Sequence, residues 1–233
     1  MYSLFSFSLA VIPAVLLLRY FYKQDNLKKE PKKLIVNTFL LGIIVTVPVI
    51  IIEFILMQFN NLFAAKSISF FAFKAFVVAA FTEELLKLII VYFYAFRKKA
   101  FDEVMDGIVY TVTASLGFAC LENILYVMGG GMYTAVVRAF TAIPLHALAA
   151  GIMGYYVGEA KFAVGKNLKM LFLVRGLVYA ISIHGLYDFM LFLVPVAGNW
   201  TGFLTLPLLY ISYKILMRKI KTAKSEDVVM QRV

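Results

Sequence analysis

The chain has 233 residues, of which 63% are hydrophobic and 15% charged, and it carries a formal net charge of +10. Its mean hydropathy is +0.88, whereas an ordinary soluble domain is only about 45–50% apolar. This composition excludes a soluble globular domain and predicts one integral-membrane domain over residues 1–233. The basic residues cluster at the ends of apolar runs, which indicates membrane topology and predicts no nucleic-acid partner. A single cysteine, Cys120, excludes an intramolecular disulfide.

Seven apolar segments have the length of about 20 residues that a membrane-spanning helix needs. The first lacks the basic start and the small-residue cleavage site of a secretory signal, so we expect it to be retained. Between the fourth and fifth segments, VMGGGMY predicts a glycine-rich turn, and the C-terminal KTAKSEDVVMQRV is expected to be loosely structured. The predicted spans are 2–21, 34–58, 68–95, 104–127, 133–158, 168–193 and 199–217.

Charge predicts how these spans are oriented. Eighteen of the 23 basic residues lie after the first, third, fifth and seventh segments, the last of them being Arg232, whereas the connections on the other face hold only Lys66. Since basic residues concentrate on the cytoplasmic side, we expect the N-terminus outside and the C-terminus in the cytoplasm. The predicted fold class is an all-α polytopic bundle of about seven spans.

Ionisable residues interrupt the third segment, where residues 81–90 read FTEELLKLII. A charged side chain at the centre of a membrane helix costs about 2.5–3.5 kcal/mol and usually has a functional reason. Glu83 and Lys87 are spaced i,i+4, and Glu84 and Lys87 i,i+3, so the lysine can approach either carboxylate. The two glutamates point about 100° apart. We therefore expect one carboxylate to reach a cavity and the other to pair with Lys87 or a neighbouring helix.

Two further segments carry polar residues at helical spacing. In GFACLENILY, Phe118 and Glu122 are i,i+4, and Asn123 follows. In SIHGLYDFM, His184 and Asp188 are i,i+4 on one helix face. A structural interpretation, as hydrogen-bonded polar pairs between helices, stays open for both segments.

Helical rise predicts that these groups lie at similar depths. At 1.5 Å per residue, Glu83, Glu84, His146 and His184 fall within about 6 Å of their helix centres, and Glu122 and Asp188 lie about 10 Å toward the outer face. Carboxylate and imidazole groups at one level suit activation of a water molecule. They suit equally a divalent metal such as zinc, for which the candidate ligands are Glu83, Glu122, His146 and His184.

The remaining polar residues of the segments are expected to be structural, except His146, for which a functional and a structural role both stay open. His146 follows Pro144, and its imidazole has an alternative partner in the carbonyl that the proline leaves free. Long basic side chains near helix ends extend to the interface. We accordingly expect Glu53 and Lys74 to reach the membrane surface, and Arg138 and Arg175 to brace helix packing.

Three motifs, in this order on separate segments, resemble those of the PrsW family of bacterial proteases. They are EELLK at 83–87, FACLE at 118–122 followed by Asn123, and HGLYD at 184–188. The family is similar in turn to the CAAX prenyl proteases and bacteriocin-immunity proteins, whose motifs are EExxxR, FxxxH and HxxxN. The resemblance covers about residues 68–193.

The resemblance implies an intramembrane protease of the bacterial plasma membrane. Such a protease makes the first cut in a single-span anti-sigma factor on its extracellular side, and a second intramembrane protease then acts on the product. By the same resemblance, Glu83 and Glu84 supply the general base and its partner, and His184 is essential. Glu122 replaces the histidine of FxxxH, and Asp188 replaces the asparagine of HxxxN, which adds anionic ligands for a metal.

Other functional classes stay open at this point. A CAAX-type peptidase would use a similar site, and a transporter or proton pathway could use the same buried acids, although we find no inverted repeat of the kind that transporters favour. A non-catalytic immunity or scaffold protein would keep the helices without needing the acids.

Overall fold

The computed structural model describes residues 4–25 and 27–231, with side chains from residue 7 onward. Residues 2 and 3 of the first predicted span, and Arg232, lie outside the described residues. Within them the chain forms helices and no strand, which confirms the all-α prediction. The seven long helices are α1 (Leu4–Gln24), α2 (Lys32–Met57), α3 (68–95), α4 (Val104–Phe140), α5 (Ala142–Phe162), α6 (Lys166–Phe192) and α7 (Thr205–Met230).

Three helical stretches of the described chain are long and apolar enough to cross a membrane. They are Lys32–Leu62, Val104–Phe162 and Lys166–Phe192. The outer surface of α2 fits lipid, since Ile44 is 62% exposed and Phe54 is 70% exposed. The chain is therefore a helical membrane protein, and the count of seven spans with their orientation stays a prediction.

Helix α4 is the central element of the bundle. All residues from 104 to 120 are buried, and the helix packs against α1, α2 and α5. Its contact with α5 depends on small residues, because a Cβ atom added to Gly107 would lie 2.3 Å from the Gly154 carbonyl oxygen and 2.4 Å from the Gly158 nitrogen. Such close backbone approach is how membrane helices pack without large apolar side chains.

A glycine reverses the chain within α4. Gly131 has φ 69° and ψ −155°, a conformation that only glycine adopts at low cost. Arg138, on the far side of this break, contacts Glu122 on the near side, so the chain folds back there. The predicted glycine-rich turn is confirmed, and the returning arm 132–140 brings Arg138 to the level of Glu122.

Helix α3 is wound irregularly around its polar motif. The stretch Thr82–Ile90 is α-helical, but Phe73–Phe81 before it and Val91–Ala95 after it are π-helical. Wider turns of this kind occur mainly next to functional sites. They alter the direction in which the side chains of α3 point relative to an ideal helix of the same length.

The expectation of a loose C-terminal tail is wrong. Helix α7 continues through Met230, and Ala223 and Asp227 are buried. The physical reason is tertiary: the Asp227 carboxylate accepts hydrogen bonds from the backbone nitrogens of Val104 and Met105 at 2.6 and 3.0 Å. These donors at the start of α4 lack partners within the helix, so α7 is held against them.

Substituting Gly107 with alanine is expected to destabilise the protein. The new methyl group would meet backbone atoms of α5 closer than contact distance, and overpacking of this kind costs about 1–3 kcal/mol. Thermal unfolding in detergent should show a fall in Tm of several degrees. Gly129→Ala is the matched control, because nothing lies within 4 Å of its added Cβ, and an equal fall in both variants would refute the packing account.

Candidate active site

The ammonium group of Lys87 lies at the centre of a buried polar network. It donates to Glu83 Oε2 at 2.9 Å and to Glu84 Oε1 at 2.8 Å, and all three side chains are almost completely buried. It also approaches His146 Nδ1 at 3.2 Å and stands 4.1 Å from the centroid of the Phe118 ring. The lysine therefore contacts both carboxylates at once, where the sequence left open which one it would approach.

The two adjacent glutamates have different surroundings. Glu83 lines a cavity of about 340 Å³ between the helices. Glu84 lies behind the cavity wall, fully buried, and its Oε2 has no hydrogen-bond donor in the described part of the chain. The prediction that one carboxylate reaches a cavity is thus met by Glu83, while Glu84 pairs with Lys87 and with a neighbouring helix.

That neighbour is α6, which contributes His184 and Asp188. The His184 Nδ1–H group donates to Glu84 Oε1 at 2.9 Å, which turns the other ring nitrogen, Nε2, toward the cavity. Nε2 is 3.4 Å from Asp188 Oδ2 and 4.0 Å from Glu83 Oε1. A carboxylate behind a histidine fixes its tautomer and ring orientation, so Glu84 prepares Nε2 as an acceptor.

The second histidine connects α5 to α4. His146 Nδ1 accepts from Lys87, which can only donate, so its Nε2–H group is free to donate to Glu122 Oε2 at 3.0 Å. The two imidazole rings lie edge to face, with centroids 5.1 Å apart. Glu122 therefore belongs to the same network as the glutamates of α3. The alternative in which His146 serves only a carbonyl freed by Pro144 is not what the structure shows.

Arg138 is a site residue that the sequence assigned to helix packing. Its Nη2 donates to Glu122 Oε2 at 2.7 Å, and its Nε donates to Asn123 Oδ1 at 2.6 Å. The guanidinium carbon stands 3.8 Å from the centroid of the Tyr126 ring. The signal that could have identified it is its charge, because a buried arginine within a membrane segment needs a carboxylate partner.

The structure places two more charged residues differently from the sequence-based expectation. Glu53 and Lys74 were expected at the membrane surface, but both line the cavity with Glu83. The Lys74 ammonium stands 4.4 Å from the centroid of the Phe192 ring. Phe118, Tyr126 and Tyr187 supply much of the aromatic lining. The cavity is therefore lined by both charged and aromatic side chains.

The residues present fit a divalent metal. One donor atom from each of Glu83, Glu84, His146 and His184 lies within 4.8 Å of the others, and imidazole with carboxylate is a ligand set typical of zinc. Glu84 Oε2 and His184 Nε2 are available as ligand atoms, whereas His146 would become a ligand by giving up its contact with Lys87 or with Glu122. Of the candidate ligands from the sequence, Glu122 lies outside this group and contacts it through His146.

The net charge of the side chains around the cavity also favours a divalent metal. Five carboxylates and three basic side chains lie in or directly against the cavity, so two formal negative charges are left when both histidines are neutral. Uncompensated charge in a buried site is costly, and a divalent cation would cancel it. The residues are Glu53, Glu83, Glu84, Glu122, Asp188, Lys74, Lys87 and Arg138.

Fold and site together define a helical membrane protein with a carboxylate–histidine centre enclosed by its helices, as a membrane-embedded peptidase requires. The sequence model of one family, described as PrsW family intramembrane metalloprotease, matches residues 30–216. The chain belongs to this family, and it is accordingly a membrane peptidase.

Curated relatives agree over nearly the whole length. Protease PrsW of Geobacillus kaustophilus is 38% identical over 224 residues, which cover 96% of this chain and 93% of the relative. Protease PrsW of Bacillus subtilis is 37% identical over 218 residues, with 94% and 95% covered. Protease PrsW of Clostridioides difficile is 32% identical over 219 residues, with 92% and 90% covered. No solved structure matches the chain significantly.

Replacing Lys87 with methionine is expected to destabilise the fold strongly. The change leaves two buried carboxylates without their cation, and breaking a buried ion pair costs about 3–5 kcal/mol. The measurement is thermal unfolding in detergent. Lys74→Met is the control, since Lys74 contacts an aromatic ring and forms no ion pair among the described residues. Equal changes in Tm for the two variants would contradict the central place of Lys87.

Proposed function

We propose that this protein makes the first cut in a single-span anti-sigma factor, on the extracellular side of the bacterial plasma membrane. The observation that carries the proposal is the placement of Glu83 and His184 Nε2, which face one cavity 4.0 Å apart. Each is held from behind, Glu83 by Lys87 and His184 by Glu84. A second intramembrane protease would act on the released product.

Glu83 is our candidate for the general base. Its carboxylate faces the cavity, so a water molecule there can donate to it as it attacks a peptide carbonyl. Glu84 is buried behind the wall and already accepts from Lys87 and His184. Its role is to position those two groups. This assignment separates two glutamates that the sequence treats alike.

His184 would act on the other side of the reacting carbonyl. With Nδ1–H committed to Glu84, protonation at Nε2 gives a donor aimed at the cavity, where it can stabilise the oxyanion or protonate the leaving amine. Asp188 Oδ2, at 3.4 Å from Nε2, stabilises that protonated ring. A divalent metal held by Glu83, Glu84, His146 and His184 would supply Lewis-acid polarisation of the carbonyl and a more acidic water.

Glu122 is not a hydrogen-bond donor in this arrangement. It accepts from both Arg138 and His146, so its replacement of the FxxxH histidine does not supply an oxyanion donor directly. Instead Glu122 and Arg138 hold His146 beside Lys87. We propose that Arg138 and Glu122 are positioning residues for the network.

The cavity size limits what can be cleaved. An α-helix with side chains is about 10–12 Å wide, and a volume of about 340 Å³ holds only a few residues in extended form. The substrate's transmembrane segment would therefore unwind locally at the cleaved bond. A segment with helix-weakening residues near its outer end is the expected substrate.

The predicted orientation of the helices in the membrane supports extracellular cleavage. The predicted topology places the glutamate–histidine level between the midplane and the outer face, and basic residues lie at the opposite ends of the helices. The relatives come from bacteria, in which a multi-pass protein of this kind would occupy the plasma membrane. Membership of the PrsW family favours this reading over a CAAX-type peptidase, a transporter or an immunity protein.

Reconstituted protein should cleave a single-span anti-sigma factor, as followed by mass spectrometry. We expect Glu83→Gln and His184→Ala to lower the rate about 10²- to 10⁴-fold, as for loss of a general acid or base. Glu84→Gln should lower it about 10- to 100-fold, as for loss of a residue that orients a ligand or base. A chelator should abolish cleavage if the metal is required.

Ser182→Ala is the matched control, because Ser182 lies on α6 near His184 but is exposed and bonds to the Val178 carbonyl. Its rate should equal that of the wild type. A larger loss in Glu84→Gln than in Glu83→Gln would reverse the two assigned roles. Cleavage that persists in all three site variants would refute the proposed site.

A further inference from the structure

A second group of buried carboxylates lies far from the cavity, where the α1–α2 connection meets the start of α4. This linker carboxylate cluster consists of Asp25, Glu30, Asp102, Glu103 and Asp106. Asp106 and Glu122 are both on α4 and about 24 Å apart along it by helical rise. The proposed protease mechanism uses none of these residues.

The geometry of the linker carboxylate cluster is compact. Donor oxygens of Asp25, Glu103 and Asp106 lie within 4.8 Å of one another, and the same holds for Glu30, Asp102 and Asp106. Asp106 is shared by both groups. Four of the five side chains are at most 3% exposed, and only Asp102 reaches the surface.

Two of the buried oxygens have no hydrogen-bond donor among residues 7–25 and 27–231. Asp106 uses Oδ2 to accept from the backbone nitrogens of Asp102 and Glu103, and its Oδ1 is unpaired. Asp25 uses Oδ2 to accept from the Glu30 backbone nitrogen, and its Oδ1 is unpaired as well. A buried carboxylate oxygen without a partner is costly, so within the described residues the buried part of the cluster lacks a donor for these two oxygens.

The neighbouring lysines do not supply it. Lys28 pairs with Asp102 at the exposed rim, and Lys29 donates to the backbone carbonyls of Tyr22 and Asp25. In the described part of the chain, Glu30 receives a hydrogen bond from the Tyr110 hydroxyl. Glu103 receives one from the Gln231 side chain and one from the Asp106 backbone nitrogen. All three donors are neutral.

The raised pKa values of three of these carboxyl groups agree with the lack of a cationic partner beside them in the described chain. Burial, with a further contribution from the Asp106 carboxylate, raises the pKa of Glu30 to about 10. Burial and the same neighbour raise the pKa of Glu103 to about 8, and burial raises the pKa of Asp25. A carboxyl group with a raised pKa destabilises the fold as the pH rises above its ordinary value, because the charged form is the disfavoured one.

We propose that the linker carboxylate cluster binds a hard divalent cation, Mg²⁺ or Ca²⁺, through the free oxygens of Asp25 and Asp106 together with Glu103, whose donor oxygens lie within 4.8 Å of one another. All available ligands are oxygens, which such cations prefer to nitrogen or sulfur ligands. The ion joins the α1–α2 connection, the α3–α4 connection and the first turn of α4. It therefore fixes the end of the helix that carries Phe118 and Glu122.

Thermal unfolding of the whole protein in neutral detergent tests the proposal. After removal of divalent ions with EDTA, MgCl₂ or CaCl₂ is added and compared with KCl of equal ionic strength. At about 100 times Kd, we expect Tm to rise by about 5–10 °C. Calorimetric titration of the wild type with each cation should show saturable binding, and the two affinities identify the preferred ion.

Substitutions in the cluster test which residues bind the ion. Asp25→Asn combined with Glu103→Gln keeps the shapes but removes two carboxyl groups of the proposed site, and should abolish the cation-dependent rise in Tm. Asp227→Asn is the matched control: its two carboxylate oxygens are satisfied by α4 nitrogens, so it should lower Tm and keep the rise. Glu83→Gln should also keep it, which separates this ion from any metal in the cavity.

Two results would overturn the proposal. One is a wild type that shows neither saturable binding nor a rise in Tm beyond that of KCl. The other is an unchanged rise in the Asp25→Asn, Glu103→Gln variant. If that double variant does not fold, the calorimetric titration of the wild type and of the single variant Asp25→Asn decides the question.

Discussion

The ion-pair network around Lys87 is the constraint on which the rest of the site depends. One buried ammonium forms ion pairs with two adjacent carboxylates, which would repel each other in the membrane interior without it. The same ammonium fixes the tautomer of His146, and Glu84 fixes that of His184. Both histidines, on different helices, thus receive their orientation from one turn of α3.

Backbone irregularities bring the partners of this network together. The π-helical turns of α3 flank the glutamates, and Gly131 folds the chain back so that Arg138 meets Glu122. Neither feature adds a reacting group. Both change the level or direction of side chains whose separation along the chain would otherwise keep them apart.

Helix α4 connects two polar regions, the cavity and the linker carboxylate cluster. They differ in how many basic side chains offset their carboxylates. At the cavity, lysine and arginine offset most of the carboxylates, whereas at the linker carboxylate cluster buried acids outnumber the basic groups that reach them. Residues 104–120 are all buried, so one continuous packed stretch of α4 lies between the two regions. Its buried first turn is held by Asp227 of α7.

The sequence by itself determined the all-α class, the approximate bounds of the helices, the turn at Gly131 and the pairs within one helix, such as Glu84 with Lys87. These follow from apolar length and helical spacing, which are local. Only the tertiary structure decided that Glu83 faces the cavity, that Arg138, Glu53 and Lys74 join it, and that the C-terminal tail is helical. Rotation and depth of one helix against another depend on packing across the bundle, and local periodicity does not contain them.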